Sequence, residues 1–136
     1  MQKYIEKLFK LMKKCKKSDD VPVAALIVKN NKIIACGYNK REKKYKVTNH
    51  AEIIAIEKAN KKLKNYFLYD CDLYVTLKPC KMCEETIKAS RINNVYYLLD
   101  KLDSKKEYNK TMYKKINSLY EKKYQEYLRE FFNKMR

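Results

Sequence analysis

Two short stretches, Asn49-His50-Ala51-Glu52 and Pro79-Cys80-Lys81-Met82-Cys83, decide the fold and the chemistry that we expect. His50 is the only histidine of the chain, and two residues separate Cys80 from Cys83. A neutral imidazole and two thiolates are ligands that zinc prefers, and a catalytic zinc site has three protein ligands and an open fourth position. The two stretches therefore predict one Zn²⁺ per chain, held by His50, Cys80 and Cys83.

Glu52 follows the predicted histidine ligand by two residues. A carboxylate beside a water molecule that a metal activates can serve as general acid and base. Asn49 precedes Glu52 by three residues at a predicted helix start, and this is also the spacing of a capping box. Together with the cysteine pair, the pattern favours catalysis for Glu52 and leaves the helix cap as its structural alternative.

A structural zinc site is the second interpretation of the same ligands. Such a site uses four protein ligands, and the sequence has no second histidine. The fourth ligand would have to be Cys15, Cys36 or Cys71. We expect these three to be reduced packing residues, because disulfides are rare in the cytosol and the cysteine count is odd.

The length of 136 residues predicts a single domain over residues 1–136. The sequence contains no apolar run long enough to span a membrane and no apolar leader at its start. We therefore expect a cytoplasmic protein that does not associate with a membrane.

The formal net charge is +17, from 33 basic and 16 acidic residues. The excess is greatest at the two ends, since residues 1–17 hold seven basic and one acidic residue and residues 101–136 hold 11 and five. A field of this sign favours polyanions such as nucleic acid. The abundance of Lys, Asn, Ile and Tyr leaves AT-rich coding as an alternative origin of the charge.

Hydrophobic periodicity predicts an α/β chain. We expect helices over residues 2–16, 49–60, 80–89 and 118–135, the first with an apolar face of Ile5, Leu8, Phe9 and Met12. We expect strands over residues 23–28, 33–36, 73–77 and 95–99, with the first two joined as a hairpin at Asn30-Asn31. A short fifth strand near residues 113–116 would bring the sheet to about five strands.

The last predicted helix carries aromatic and aliphatic residues at mostly helical spacing. They are Leu119, Tyr120, Tyr124, Tyr127, Leu128 and Phe131. The pattern alone favours a core-facing stripe. The alternative is a surface for base stacking and phosphate contact, which would use Phe131, Phe132, Lys134 and Arg136.

The sequence resembles the bacterial tRNA-specific adenosine deaminases, a family of the cytidine-deaminase-like superfamily. The arrangement His-x-Glu followed by Pro-Cys-x-x-Cys is the superfamily's signature. The resemblance covers nearly the whole chain and is densest at residues 21–23, 37–39, 48–52, 73–83 and 90–92, with Phe131-Phe132 at the end.

This resemblance implies a three-layer α/β/α fold in which helices flank a mixed sheet of about five strands. It implies that Asn39 hydrogen-bonds the target base, that the backbone of Ala51 binds the edge of that base, and that Val21 lines the pocket. It also implies a homodimer that converts the wobble adenosine of a tRNA anticodon to inosine.

Two other functions stay open at this point. The chain could be a deaminase of a free base or nucleotide, of the guanine, cytosine or deoxycytidylate type, which has no need of basic ends. Less favoured is a non-catalytic zinc protein that binds RNA, which would require four protein ligands on the metal.

Overall fold

The computed structural model describes residues 1–100 and 111–135. Within these ranges the chain forms five α-helices, a 3-10 segment at Lys13–Ser18 and four strands. The helices are α1 (Gln2–Met12), α2 (Arg41–Lys44), α3 (Ala51–Leu63), α4 (Lys81–Ala89) and α5 (Tyr120–Lys134). The strands are β1 (Ala24–Lys29), β2 (Lys32–Tyr38), β3 (Cys71–Leu77) and β4 (Asn94–Leu99).

The four strands form one mixed sheet in the order β2-β1-β3-β4. β1 pairs antiparallel with both β2 and β3, whereas β3 and β4 are parallel. The predicted hairpin turn is confirmed, because Asn30 and Asn31 both have positive φ (51° and 62°), as a two-residue type I′ turn requires. Helix α4 connects the parallel strands β3 and β4. Parallel strands need such a crossover connection, whereas antiparallel strands can be joined by a short turn.

The sheet has helices on both faces, which confirms the predicted three-layer α/β/α architecture. β1 is buried on both sides, as its continuous apolar sequence predicts. One core joins alternate sheet residues to α3: Ala25, Ile27, Leu73, Val75, Ala55, Ile56 and Ala59. The opposite face of the sheet packs on α1 through Tyr4, Leu8, Leu11, Ala24, Leu26 and Val28.

The apolar face of α1 differs from the predicted one. Tyr4, Leu8 and Leu11 are buried, while Phe9 is 46% exposed. The predicted face counted only aliphatic residues and phenylalanine. The ring of Tyr4 lies 4.7 Å from that of Tyr74 on β3, and this contact brings a neighbouring stripe of the helix onto the sheet.

The chain divides into two compact units, Met1–Asp103 and Ser104–Arg136. The sheet lies in the first unit, and the single-domain expectation stays a prediction. No helix in the described parts of the chain has the length and apolar character needed to cross a membrane.

In the second unit the suggested fifth strand is wrong. Residues 111–118 have no regular structure, and Tyr113 and Ile116 are exposed. β-forming residues make a strand only where a neighbouring strand and a covered face receive them. The core-facing interpretation of α5 is also wrong for the described chain, because none of its residues is buried.

The only glycine of the chain lies where β2 closely approaches the backbone of α3. A Cβ atom added to Gly37 would lie 2.6 Å from the carbonyl oxygen of Ala51 and 2.9 Å from the backbone nitrogen of Ala55. Both are backbone atoms that no side-chain rotation can move. Gly37 therefore sets how closely β2 and the first turns of α3 pack.

We expect Gly37→Ala to lower the free energy of unfolding by about 1–3 kcal/mol, because the added methyl group must push α3 away from β2. Urea unfolding measures this change. The control is Cys36→Ala, a neighbouring change on the opposite face of the strand. Equal stabilities of the two variants would contradict this account of the packing.

Candidate metal centre and active site

Two helix starts carry the predicted zinc ligands. His50 is the N-cap residue of α3 and Cys80 is the N-cap residue of α4, and both have extended backbone conformations (φ −76°, ψ 151° and φ −71°, ψ 171°). The first N–H groups of a helix lack partners within the helix and carry partial positive charge. This environment favours thiolates, which are the form of cysteine that binds metal.

The local sequence explains how α4 presents its two cysteines. β3 ends at Leu77, and Pro79 then stops the strand because it cannot donate to a ladder. Cys80 and Cys83 are three residues apart, so they project from the same side of the first turn. Cys83 is fully buried and Cys80 is half-buried.

The three ligand atoms form a compact cluster. His50 Nδ1 lies 3.7 Å from Cys80 Sγ and 3.5 Å from Cys83 Sγ, and all three atoms lie within 4.8 Å of one another. A tetrahedral zinc ion with ordinary Zn–S and Zn–N bond lengths would separate nitrogen and sulfur by about 3.6 Å. The donor set and its spacing therefore fit zinc.

No fourth protein ligand joins this cluster in the described parts of the chain. The thiol of Cys15 instead donates to the carbonyl of Val23 at 3.7 Å, and that of Cys71 donates to the carbonyl of Tyr69 at 3.6 Å. Burial raises the pKa of both thiols. These two cysteines are packing residues, and the geometry matches an open three-ligand site.

The pKa values of the three ligand side chains are shifted in different directions by their contacts with one another. A hydrogen bond from Cys83, and a second one from His50, lower the pKa of Cys80 to about 3. The same bond to Cys80, together with burial, raises the pKa of Cys83. The bond with Cys80 also raises the pKa of His50. Metal binding must displace the retained protons, because zinc binds thiolates and neutral imidazole.

Glu52 lies directly beside the cluster as the second residue of α3. Only 4% of its surface is exposed, and burial raises the pKa of its carboxyl group. The neighbouring Cys83 thiol partly offsets this rise, and Glu52 in turn contributes to the raised pKa of that thiol. The capping-box alternative is not formed, since the N-cap residue is His50 and no side-chain cap bond is present.

Asn39, Val21 and Ala51 also come together next to the helix start. The Asn39 side chain accepts a hydrogen bond from the Ala51 N–H (2.8 Å) and donates one to the Val21 carbonyl (2.9 Å). Asn39 thus supplies a partner for an N–H group at the start of α3. These two bonds leave one N–H of the Asn39 amide unused, and the Val21 side chain is exposed.

The residues suggested for RNA contact lie on α5, in the second unit. Phe131 and Phe132 are 56% and 59% exposed and their rings pack edge to face at 5.3 Å. Lys134 is exposed too, whereas Arg136 lies outside the described residues.

Sequence reasoning missed two features near the site. It gave no packing role to Gly37, although a single glycine in 136 residues was the available signal. It also missed Tyr38, whose ring has Lys40 Nζ at 4.6 Å and Lys14 Nζ at 5.7 Å from its centroid. No sequence pattern joins those two lysines.

Known proteins resemble this chain in sequence. It is 46% identical to a tRNA-specific adenosine deaminase of Rickettsia bellii over 81 residues, which is 58% of this chain and 56% of the relative. It is 37% identical to the Bacillus subtilis protein of the same name over 94 residues, which is 69% of this chain and 58% of the relative. The chain thus spans little more than half the length of these relatives.

Solved structures share the fold. A structure from work on A-to-I editing by tRNA:A34 deaminases at the wobble position of transfer RNA superposes with a TM-score of 0.71 at 34% identity. It covers 74% of this chain and 77% of its own. The guanine deaminase of Bacillus subtilis superposes with a TM-score of 0.81 at 26% identity, over 95% of this chain and 93% of its own.

The sequence model of the cytidine and deoxycytidylate deaminase zinc-binding region matches residues 1–99. This range contains the sheet, both helix starts and the His50, Cys80 and Cys83 cluster. The chain therefore belongs to the zinc-binding family of cytidine and deoxycytidylate deaminases.

Proposed function

We propose that this protein is a zinc-dependent hydrolase that converts adenosine to inosine at the wobble position of a tRNA anticodon. One observation carries the proposal: a three-ligand cluster of His50, Cys80 and Cys83 lies in contact with the buried carboxyl group of Glu52. A metal site with an open position, next to a group that can exchange protons, is suited to hydrolysis.

His50, Cys80 and Cys83 hold the metal in this proposal. Zinc in such a site supplies a water molecule whose pKa is low enough for it to act as a nucleophile near neutral pH. Glu52 would accept one proton from the water that attacks C6 of adenine and deliver it to N1. It would then take the proton of the new C6 hydroxyl group and pass it to the leaving amine, so that adenosine and water give inosine and ammonia.

Burial suits Glu52 to both halves of this proton transfer. A raised carboxyl pKa lies closer to the working pH, where a group both accepts and donates protons well. Its place in the first turn of α3, two residues after His50, holds the carboxyl group beside the metal ligands. No other acidic side chain of α3 is buried.

Asn39, Val21 and Ala51 form the substrate-binding side of the proposed site. The unused N–H of the Asn39 amide is available to a ring nitrogen of the base, and Val21 provides exposed apolar surface. The backbone N–H of Ala51 donates a hydrogen bond to the Asn39 side chain. When substrate binds, the same N–H can donate to an acceptor on the edge of the base instead. An anticodon loop suits this site because its bases are unpaired, so that extruding one costs little.

The choice of substrate is supported by the names of the sequence relatives, which are tRNA-specific adenosine deaminases. A structural neighbour is described by its action on A34 of tRNA. The exposed aromatic pair Phe131 and Phe132, with Lys134 beside it, offers stacking and phosphate contact of the kind that RNA loops use.

Deamination of free guanine is the second candidate. The guanine deaminase of Bacillus subtilis superposes over 95% of this chain, including most of the second unit. Both substrates are purines that carry an exocyclic amine, so the metal centre alone does not separate them. A non-catalytic zinc protein is less well supported, because the cluster has three protein ligands in the described residues.

We also propose a homodimer that works in the cytoplasm. Strand β4, at the end of the described sheet, exposes Tyr96 and Leu98 on one face and Tyr97 and Leu99 on the other, and exposed apolar surface is typical of an association surface. None of the five cysteines forms a disulfide bond, which agrees with a reducing compartment.

Glu52→Gln should reduce the deamination rate by at least about 10²-fold, because the amide cannot exchange protons. Its zinc content should stay at one per chain. Elemental analysis and a single-turnover assay measure the two quantities. The control is Glu57→Gln, an exposed change on the same helix, which should retain the wild-type rate. Loss of zinc from the Glu52 variant would make Glu52 a ligand or a structural residue.

Cys83→Ser should weaken zinc binding by more than about tenfold, because a buried hydroxyl replaces a thiolate ligand. Competition with a chromogenic chelator measures the affinity. Cys36→Ser, a change to a half-buried cysteine outside the cluster, should bind zinc as the wild type does. Equal affinities for the two variants would place the metal elsewhere.

The zinc-loaded protein should produce inosine in an anticodon stem-loop that carries a wobble adenosine, because the loop presents that base unpaired. Sequencing after reverse transcription detects inosine as a change from A to G. The matched control substrate has the adenosine paired within the stem. Ammonia from free guanine, without inosine in the stem-loop, would replace the proposed substrate with the second candidate.

A further inference from the structure

One side of α1 and its 3-10 extension carries a row of four lysines. Lys3, Lys7, Lys10 and Lys14 are four, three and four residues apart, so at 100° per residue they fall within a sector of about 60°. All four are exposed, and we call them the lysine row. The row lies beside the buried stripe of the helix, which contains Tyr4, Leu8 and Leu11.

The first end of the lysine row lines a groove of about 600 Å³ at the β1–β2 turn. Lys3, Lys7 and Lys10 form one wall, and Lys32 stands opposite them at the start of β2. The groove has one acidic residue, Glu6. It therefore concentrates four positive charges in a concave surface, where the field of like charges adds.

The second end of the row lies at the end of β2, one residue before Asn39 of the candidate active site. Lys14 lies over the ring of Tyr38, and Lys40 lies over the same ring. The residue after Tyr38 is Asn39, which bonds to Ala51 at the start of α3. From Lys3 to Lys14 the helical rise is about 17 Å, so the row links the distal groove to the rim of the site.

The charges of the row are not neutralised within the described part of the chain. None of the four lysines belongs to the ion pairs that Lys88 forms with Glu85 and Lys115 with Glu121. Closely spaced cations without acidic partners repel one another. A bound polyanion removes this repulsion and releases its own counterions, which gives binding that depends on salt.

We propose that the lysine row binds the phosphodiester backbone of the RNA whose base enters the active site. This inference rests on the proposed function and adds a contact surface to it. A linear row fits a chain of phosphates better than a single small anion, because each lysine can meet a different phosphate. The row lies on α1, on the opposite side of the sheet from α3, so the RNA passes along that side before it reaches the site.

Two triple variants test this proposal at matched net charge. The first combines Lys3→Gln, Lys7→Gln and Lys10→Gln. The control combines Lys58→Gln, Lys61→Gln and Lys62→Gln, all exposed on α3, and it lowers the net charge by the same three units. The affinity of each zinc-loaded protein for the anticodon stem-loop is measured by fluorescence anisotropy between 50 and 200 mM salt, and zinc content and circular dichroism check the fold.

The α1 variant should have a dissociation constant at least about tenfold above that of the wild type at 50 mM salt. The slope of log affinity against log salt should fall by about two to three, since each lost phosphate contact removes about 0.7 to 0.9. The control should lower the slope by less than about one. In the assay of deamination, KM should rise for the α1 variant while kcat is unchanged, because the row does not touch the reacting base.

Equal losses in the two variants would overturn the proposal, because the general field of the protein would then explain the binding. Wild-type affinity of the α1 variant would overturn it as well. These failures differ from failure of the proposed function, because inosine formation is read separately. If the protein forms inosine but the α1 variant loses no more affinity than the control, only the proposed role of the lysine row is refuted. If the α1 variant loses affinity selectively but no inosine forms, only the proposed adenosine substrate is refuted.

Discussion

The position of the first turn of α3 against β2 is the constraint on which the candidate site depends. Gly37 lets the backbone of Ala51 approach the strand to a distance that a Cβ atom would prevent. Asn39, two residues later, accepts a hydrogen bond from the same residue. Because His50 and Glu52 flank Ala51, these two contacts place a metal ligand and a carboxyl group together. Any shift of the helix start would move both.

The site also brings together polar groups whose burial would be energetically unfavourable without a bound metal. Two thiols and an imidazole have their ligand atoms within 4.8 Å of one another, and both Cys83 and the nearby Glu52 are buried. Burial disfavours charge on the carboxyl group, and the thiol pair keeps a proton that a metal must displace. Zinc binding would therefore stabilise the folded chain as well as complete the site, since the ligands converge only in the folded state.

Much of this arrangement could be predicted from the sequence, because its signals are local. The Pro-Cys-x-x-Cys stretch marks a strand end followed by a helix start, and Asn30-Asn31 marks a hairpin. The structure has all three features.

Other features could not be predicted from local signals. The buried face of α1 was predicted wrongly because several stripes of one helix share the same period. The fifth strand was wrong because residues 113–116 have no regular structure, although their residue types favour strands. The bonds of Asn39 join residues far apart in the chain, so no spacing rule reveals them.

The metal centre determines which reaction is catalysed, but it does not by itself determine which purine is deaminated. A tRNA:A34 deaminase and a guanine deaminase both superpose on this chain, at 34% and 26% identity. Since one fold supports both, the metal centre does not determine which purine enters. Selection between purines can come from the groups around the base, and selection between a free base and an RNA from surfaces that only an RNA is long enough to contact. In this chain those surfaces carry exposed lysines on α1 and exposed aromatic residues on α5. A polyanion gains affinity from the lysines through counterion release, and a small neutral base gains none.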